Sequence, residues 1–526
     1  TVHTATNRHD RLKTDCLNAE VNYEDNTVSR YTRENFSFAG TWKSGVSDIT
    51  GDNAIFQKIK NSQWELKNYF NQLYTKEKYT WGIRSYIRYT HCPASLTVAH
   101  RNLPILFADN MLIANCIYHR NELSSPDNIS ENTYRTVIGQ THESILAEYE
   151  EMNTGNAYTD NVLYGMRKIN GVNYQLTGGF CGELSSVKQE NAYSAHSYSF
   201  YTVPRIEWER NDFLFTAATT VRWSHLPKQS YSRFCVSPFF CFRYKFTPRW
   251  KMSLLGSLDE SEGGLKDIYP FRYREDYRTV VKHTGKVPVT VRQLYTCYLE
   301  YKNTIKEFFW TLSASYSHNR YNLITERNYK DGNFYLSSVE RNHSSHSYTL
   351  NTIGSKGIYD WNLKTSLELT LARNEGKQLN EGIVQDYRYD YLCIEPKIVW
   401  APSVFFEAEY KATVSCVGGG IGEDTSLDPL WEVAQRLTLS LEFHDTEFRL
   451  SGEHFYNDLS KNQHLNIWLA DVSLIHKVGK WRFAASAINL FNKEQYRYTL
   501  YSAVQSYTSW IKLRPREFMV SVQYQW

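Results

Sequence analysis

The stretch Phe518-Met-Val-Ser-Val-Gln-Tyr-Gln-Trp526 decides the reading of this chain. Phe518, Val520, Val522, Tyr524 and Trp526 fall at every second position, and a strand's period of two puts them on one face. Met519, Ser521, Gln523 and Gln525 take the other. One such strand fits the edge of a water-soluble sheet as well as the last strand of a barrel, so the remaining residues must choose.

Working back from this end, the same partition recurs. Trp361, Leu363, Thr365, Leu367, Leu369 and Leu371 alternate with Asn362, Lys364, Ser366, Glu368 and Thr370. Val404, Phe406, Ala408, Tyr410, Ala412 and Val414 alternate with Glu407, Glu409, Lys411 and Thr413. Leu437, Leu439, Leu441 and Phe443 oppose Arg436, Thr438, Ser440 and Glu442, while Phe234, Val236, Pro238, Phe240 and Phe242 oppose Cys235, Ser237, Cys241 and Arg243. A soluble sandwich alternates too. The connections separate the two: short turns at 209–212, 247–249, 401–403, 444–446 and 478–480 take turns with polar excursions near 260–290, 319–344, 373–386, 416–432 and 490–514. Short turns at one end and long loops at the other are the pattern of a transmembrane antiparallel up-and-down β-barrel. Roughly sixteen such segments follow residue 170 and four to six precede it, among them 11–24, 30–43, 64–74, 78–92 and 110–120, giving about 20–22 strands and the size of the large plugged barrels. Glu143 to Glu151 has a helix-forming composition and reads either as a strand or as a helix in a loop.

Composition agrees. Aromatic residues make up 15% of the 526, with 40 Tyr against 13 Pro, and the mean hydropathy is −0.54. A barrel tolerates such a value because its lipid-facing and lumen-facing residues cancel within any window. Trp250, Trp310, Trp361, Trp400 and Trp481 each stand within a few residues of a short turn, where an aromatic girdle would meet the membrane surface. Tyr316, Tyr389, Tyr391 and Tyr456 lie toward the other strand ends. The polar faces carry the lumen-facing candidates Arg243, Lys245, Glu368, Lys397, Glu407, Glu409, Lys411, Arg436, Glu442, Arg449 and Glu453. A net charge of +3 gives no electrostatic case for nucleic acid.

The segment Asn489-Leu490-Phe491-Asn492, followed after a Tyr-rich loop by the terminal strand, resembles the end of TonB-dependent receptors, and the loop 496–507 is similar to receptors of the Bacteroidetes type. The resemblance implies a bacterial outer-membrane location, with Phe518, Val520, Val522, Tyr524 and Trp526 as a barrel-assembly signal. It also implies import of a scarce nutrient such as a chelate, glycan or peptide. The partners it implies are outer-membrane lipids, the TonB complex through a plug, and a surface-exposed lipoprotein or another outer-membrane protein. No plug, TonB-contacting segment or signal peptide is visible, so residues 1–526 read as one barrel domain of a mature chain or fragment. A plugless passive pore and a structural or assembly partner in an outer-membrane complex are the other readings.

The chain has no Gly-x-Ser-x-Gly elbow, phosphate-binding Gly-Lys-Ser/Thr loop or His-Glu-x-x-His, so no enzymatic activity, cofactor or metal is expected. His142-Glu143 lacks a second histidine, and His343 with His346 reads as part of a Ser-rich loop. Gly418, Gly419, Gly420 and Gly422 read as a loop tip ending in Glu423-Asp424. The nine cysteines, at 16, 92, 116, 181, 235, 241, 297, 393 and 416, show no metal-ligand spacing. Cys235 and Cys241 share a face but stand about 20 Å apart along a strand, too far for a disulfide.

The face assignment makes a direct prediction. Leu439→Arg should lower barrel stability by about 2–4 kcal/mol near mid-membrane, whereas Ser440→Arg should be tolerated; unfolding titrations in lipid vesicles compare the two.

Overall fold

A computed structural model describes every residue except 1–5, 52–53, 77–78, 102–132, 138–143, 190–191, 276–278, 331–332, 423–424, 461–462, 502–505 and 525–526. Trp526, Cys116, His142-Glu143, Glu423-Asp424 and the expected strand at 110–120 lie outside the described residues. The strands in chain order are β1 (Thr6–Asn26), β2 (Arg30–Gly51), β3 (Ala54–Lys76), β4 (Tyr79–Arg101), β5 (Thr133–Val137), β6 (Ser144–Ile169), β7 (Val172–Lys188), β8 (Ala192–Arg210) and β9 (Phe213–Leu226). There follow β10 (Tyr231–Lys245), β11 (Trp250–Glu262), β12 (Tyr273–Arg274), β13 (Thr279–Lys282), β14 (Val289–Asn303), β15 (Phe308–Lys330), β16 (Asn333–Ile358) and β17 (Leu363–Asn380). The last are β18 (Ile383–Ser403), β19 (Phe406–Ile421), β20 (Thr425–Phe443), β21 (Thr446–Ser460), β22 (Gln463–Val478), β23 (Trp481–Ile488), β24 (Gln495–Tyr501), β25 (Ser506–Lys512) and β26 (Glu517–Tyr524).

One sheet holds 24 of these strands, and β24 and β25 pair as a separate hairpin. Within the sheet β5 attaches to β6, β12 to β13, and β13 runs parallel to β16. Without those three, the other 21 form a single antiparallel up-and-down meander from β1 to β26, the barrel wall. Directly paired residues share a face, so the register tests the partition across strands. Phe518 pairs with Ala487, Ala487 with Val472, Val472 with Leu450, Leu450 with Leu439, Leu439 with Ala408, and Ala408 with Trp400. Seven strands thus contribute to one continuous apolar row.

Turn chemistry sets the short connections. Asn170-Gly171 and Glu381-Gly382 both take positive φ at two successive residues, the geometry whose twist matches a tight hairpin. The turn expected at 401–403 instead falls at Val404 and Phe405, because the β18–β19 register shifts between Trp400 and Ser403. Val404 therefore leaves the apolar strand face and is exposed at the tip. Trp361 also sits in a turn, a single 3-10 turn over Tyr359–Trp361, and the strand starts at Leu363.

The long polar excursions are corrected as well. Those near 319–344, 373–386 and 416–432 are not loops: β15–β16, β17–β18 and β19–β20 continue as paired ladders to Lys330–Asn333, Asn380–Ile383 and Ile421–Thr425. Such strands far exceed the ~9–11 residues a membrane crossing needs. Beyond an apolar belt a ladder still satisfies its backbone groups while both faces are polar, which is why composition alone read these segments as loops. His343 and His346 accordingly lie in β16, stacked on Tyr321 at 4.8 Å and on His318 at 4.6 Å. Gly418 to Gly420 belong to β19, where a register shift falls between Val417 and Gly419. From Ser144 onward the segment of helical composition is strand β6, paired with β4. The eight described cysteines are free.

The connection out of β23 is held by Asn489, which is buried with φ 54°. Its amide nitrogen donates to the Lys493 and Arg514 carbonyls at 2.8 Å each, and its side-chain oxygen accepts from the Lys493 N–H at 2.9 Å. Its own N–H donates to Asp471 Oδ1 at 2.8 Å, and Asn492 Oδ1 accepts from the Arg516 N–H at 2.9 Å. The two asparagines, both left-handed, thus staple the strand that leaves to the strand that returns. Asn489→Ala removes three of these bonds and leaves two carbonyls and an N–H at this connection without their partner, so the barrel should lose about 2–4 kcal/mol, read as a lower melting temperature in detergent.

Candidate functional site

The polar face of β17–β21 forms a wall of mixed charge. Ser366 pairs with Lys397, Lys397 with Lys411, Lys411 with Arg436 and Arg436 with Glu453, a row crossing five strands. Lys397 Nζ lies 3.5 Å from Glu409 Oε1, and Arg436 Nε lies 3.4 Å from Glu453 Oε1. Glu368 stands opposite Glu395 and accepts a hydrogen bond from Asn351 Nδ2 at 2.8 Å. Glu368, Glu395, Lys397, Lys411, Arg436 and Glu453 line a concavity of about 410 Å³. Glu407 is opposite Ser440, Glu442 is opposite Glu447, and Glu447 meets Arg449 at 2.9 Å. The sequence-derived candidates Glu368, Glu407, Glu409, Lys411, Arg436 and Glu442 are thus brought together. Arg243 and Lys245 are not: they sit on β10, opposite Ser253 and Lys251 of β11. Solvated pairs of this kind contribute little stability, about 0–1 kcal/mol each.

Aromatic rings gather at the short-turn end of the apolar face. Tyr301 pairs with both Trp250 and Trp310, and the two indoles meet edge to face at 5.9 Å. Trp400 contacts Phe406 at 5.8 Å, and Trp481 contacts Tyr524 of the last strand at 4.8 Å. Trp361 projects from its turn. Trp81 and Trp208 stand at the same strand ends and escaped the sequence reading, although the turn at Asn211-Asp212 was an available signal for Trp208.

The connection from β11 to β14, Gly263 to Pro288, folds back against the barrel's polar face at the opposite end. Ile268, fully buried, packs with Tyr269 and Val287 against Tyr193 and Ala195 of β8 and Leu226 of β9. Tyr193 and Ala195 share their strand face with Ser199 and Tyr201, opposite the exposed Phe200, and Leu226 lies opposite Trp223 in the same sense. The loop therefore lies inside the mouth. Lys228 Nζ sits 3.7 Å above the Tyr193 ring and donates to the Ser194 carbonyl at 2.8 Å. On the far side β13 joins β16, Asn322 Oδ1 accepts from the Val289 N–H at 2.7 Å, and Asn322 Nδ2 donates to the Val287 carbonyl at 2.9 Å. The loop is a strap tied at both ends, from β8 to β16. No sequence signal separated it from the other polar excursions.

His283 marks the β16 attachment, 3.3 Å from Ser338 Oγ and 3.5 Å from the Tyr273 hydroxyl. Burial lowers its pKa below the usual 6.5, and Asp267 partly opposes this.

Among the described residues no group of three or more His, Cys, Asp or Glu is placed to hold a metal ion, and no helix is long and apolar enough to cross a membrane. No protein-family model and no curated protein matches the chain. Solved structures similar to it include the outer membrane transporter YddB from Escherichia coli, at 10% identity and a TM-score of 0.41, covering 97% of this chain and 75% of that one. The ferric yersiniabactin uptake receptor FyuA from Yersinia pestis aligns at 8% identity and a TM-score of 0.35, covering 99% and 80%. The siderophore receptor PirA from Pseudomonas aeruginosa aligns at 10% identity and a TM-score of 0.35, covering 98% and 80%. Likeness at this level assigns no family or ligand to the chain.

The His283 contact makes strap docking pH-dependent. Its docked pKa is depressed, so as pH falls below about 6.5 the undocked form takes up a proton first; docking is complete above that value and weakens through the acid range. Limited proteolysis of 263–288 should accelerate between pH 7.5 and 5.5, and His283→Gln should abolish the dependence.

Proposed function

We propose that the chain is the barrel domain of a bacterial outer-membrane importer similar to TonB-dependent receptors, carrying a scarce nutrient rather than catalysing a reaction. The observation that carries this reading is the pairing of a continuous apolar row on one face with a charged, hydrated wall on the other, in a meander of 21 strands. Such a sheet is stable where its outer face meets hydrocarbon and its inner face meets water. The Trp residues at the short-turn end serve as the interfacial girdle, and the alternating last strand with the Asn489–Asn492 staple serves barrel assembly. The resemblance of that ending to Bacteroidetes-type receptors favours a plug and the TonB complex as partners, with a surface lipoprotein over the loops. The ligand class, a chelate, glycan or peptide, follows from that resemblance alone. The charged wall is where a plug would seat.

The strap favours a second reading, a passive pore whose mouth an in-folded loop narrows. A third, an assembly partner in an outer-membrane complex, follows from the same fold.

Deleting the gene should abolish growth on a limiting chelate or glycan, and collapse of the proton-motive force should stop uptake in cells that carry it. Uptake that survives an uncoupler, with steady single-channel conductance from the purified protein, would replace import by the pore; normal uptake of every candidate in the deletion strain would leave the assembly role.

A further inference from the structure

The outward face of β4 and β6–β8 carries a feature near the short turns that import does not require. Leu176 pairs with Pro204, which shares its strand face with the outward Phe200, so the row Trp81, Gly165, Leu176 and Pro204 faces out. One row nearer the short turns, Tyr79, Arg167 and Tyr174 face the same way. Arg167 precedes the Asn170-Gly171 turn by only a few residues, about 10 Å along the strand. That places its guanidinium in the aromatic girdle rather than in mid-membrane.

Gly165 interrupts the upper row. A Cβ built there would meet nothing within 4 Å, so the exposed Trp81 and Leu176 stand on either side of bare backbone. The result is an apolar groove of about 540 Å³ with Tyr79, Arg167 and Tyr174 at its short-turn end. The Arg167 guanidinium lies over the Tyr79 ring, 4.8 Å from its centroid, and among the described residues no carboxylate pairs with it. Lys356, an outward-facing cation at the short-turn end of β16, is by contrast satisfied by the Lys306 carbonyl. A guanidinium held at the rim of an apolar groove, at the depth where headgroups begin, complements a phosphate ester that carries a hydrocarbon chain.

We propose that this groove holds one anionic glycerophospholipid, with its phosphate on Arg167 and an acyl chain laid along Gly165 between Trp81 and Leu176. Short turns mark the periplasmic side of an outer-membrane barrel, so the lipid belongs to the periplasmic leaflet. An anionic head is favoured over a zwitterionic one, because an ammonium beside Arg167 would meet a like charge and no described carboxylate. The chain is held by contact with Trp81 and Leu176, which a filled row would not offer. The site rests on this face meeting lipid and not on what the barrel carries.

The test is native mass spectrometry of the protein made from its native gene and purified in mild detergent, after addition of equal amounts of phosphatidylglycerol and phosphatidylethanolamine. The wild type should keep one phospholipid as detergent is stripped, with phosphatidylglycerol preferred about fivefold, the effect of one cation near an anionic headgroup. Arg167→Gln should still keep a lipid but bring the preference to about one. Gly165→Leu, whose side chain extends into open space, should lose the lipid while the melting temperature holds. Equal retention and equal preference in all three proteins would overturn the site, as would a wild type that does not distinguish the two lipids. Arg167→Gln keeps the test decisive should Gly165→Leu misfold. A protein that stays monodisperse without detergent would overturn the membrane reading and the site with it, whereas a detergent-dependent protein that keeps no lipid would overturn the site alone.

Discussion

Everything in this structure depends on backbone groups finding their partners sideways. A strand satisfies its N–H and C=O groups only through its neighbours, and where the surroundings offer no water each bare group costs several kcal/mol. Among the described residues the chain meets that condition by laying 21 strands side by side in sequence order, so that each hairpin supplies the partner the previous strand needs. The same constraint explains the long polar hairpins above the apolar region, where the ladder persists although neither face is apolar.

With the backbone fixed, side-chain parity does the rest. A one-residue slip would exchange the two faces, sending Lys411 and Arg436 where Tyr410 and Leu437 now stand. Devices that pin register therefore matter more than packing in a central core, and the described apolar cluster lies in the mouth rather than in the wall. The tight turns at Asn170-Gly171 and Glu381-Gly382 pin register locally, and the Asn489 network pins it across the connection to the last strand. The strap is held differently, by one aromatic cluster, a short parallel pairing and a few polar contacts, so it is the element that can loosen without disturbing the barrel.

Much of the wall was legible because alternation is a local signal: Leu437, Leu439 and Leu441 against Arg436, Thr438 and Ser440 needs no partner to be recognised. The charged wall was legible in part. Residues on β17–β20 share a face by parity, but only the register aligns Lys397, Lys411, Arg436 and Glu453 in one row, and only the strand order separates Arg243 and Lys245 from them. Polar segments were misread where composition and hydrogen bonding diverge: His343, His346 and Gly418–Gly420 look like loop residues and are held in ladders. The turn after β18 was misplaced because Ala401-Pro402-Ser403 carries the stronger turn signal, while the register shift carries the strand on to Ser403. The strap was invisible as a strap, since its contacts with Tyr193, Leu226 and Ser338 join segments 42 residues or more apart, with no periodicity to announce them.

The central claim is that one face of this sheet meets lipid and the other lines water. Spin labels walked one residue at a time from Arg436 to Phe443 of β20, in reconstituted protein whose native cysteines are replaced by serine, test it most directly. The account predicts that labels at Leu437, Leu439 and Leu441 collide with lipid-dissolved oxygen while those at Arg436, Thr438, Ser440 and Glu442 collide with a water-soluble nickel chelate, alternating with a period of two. Equal exposure of all eight positions to the nickel chelate would contradict it and return the chain to the class of water-soluble sheets.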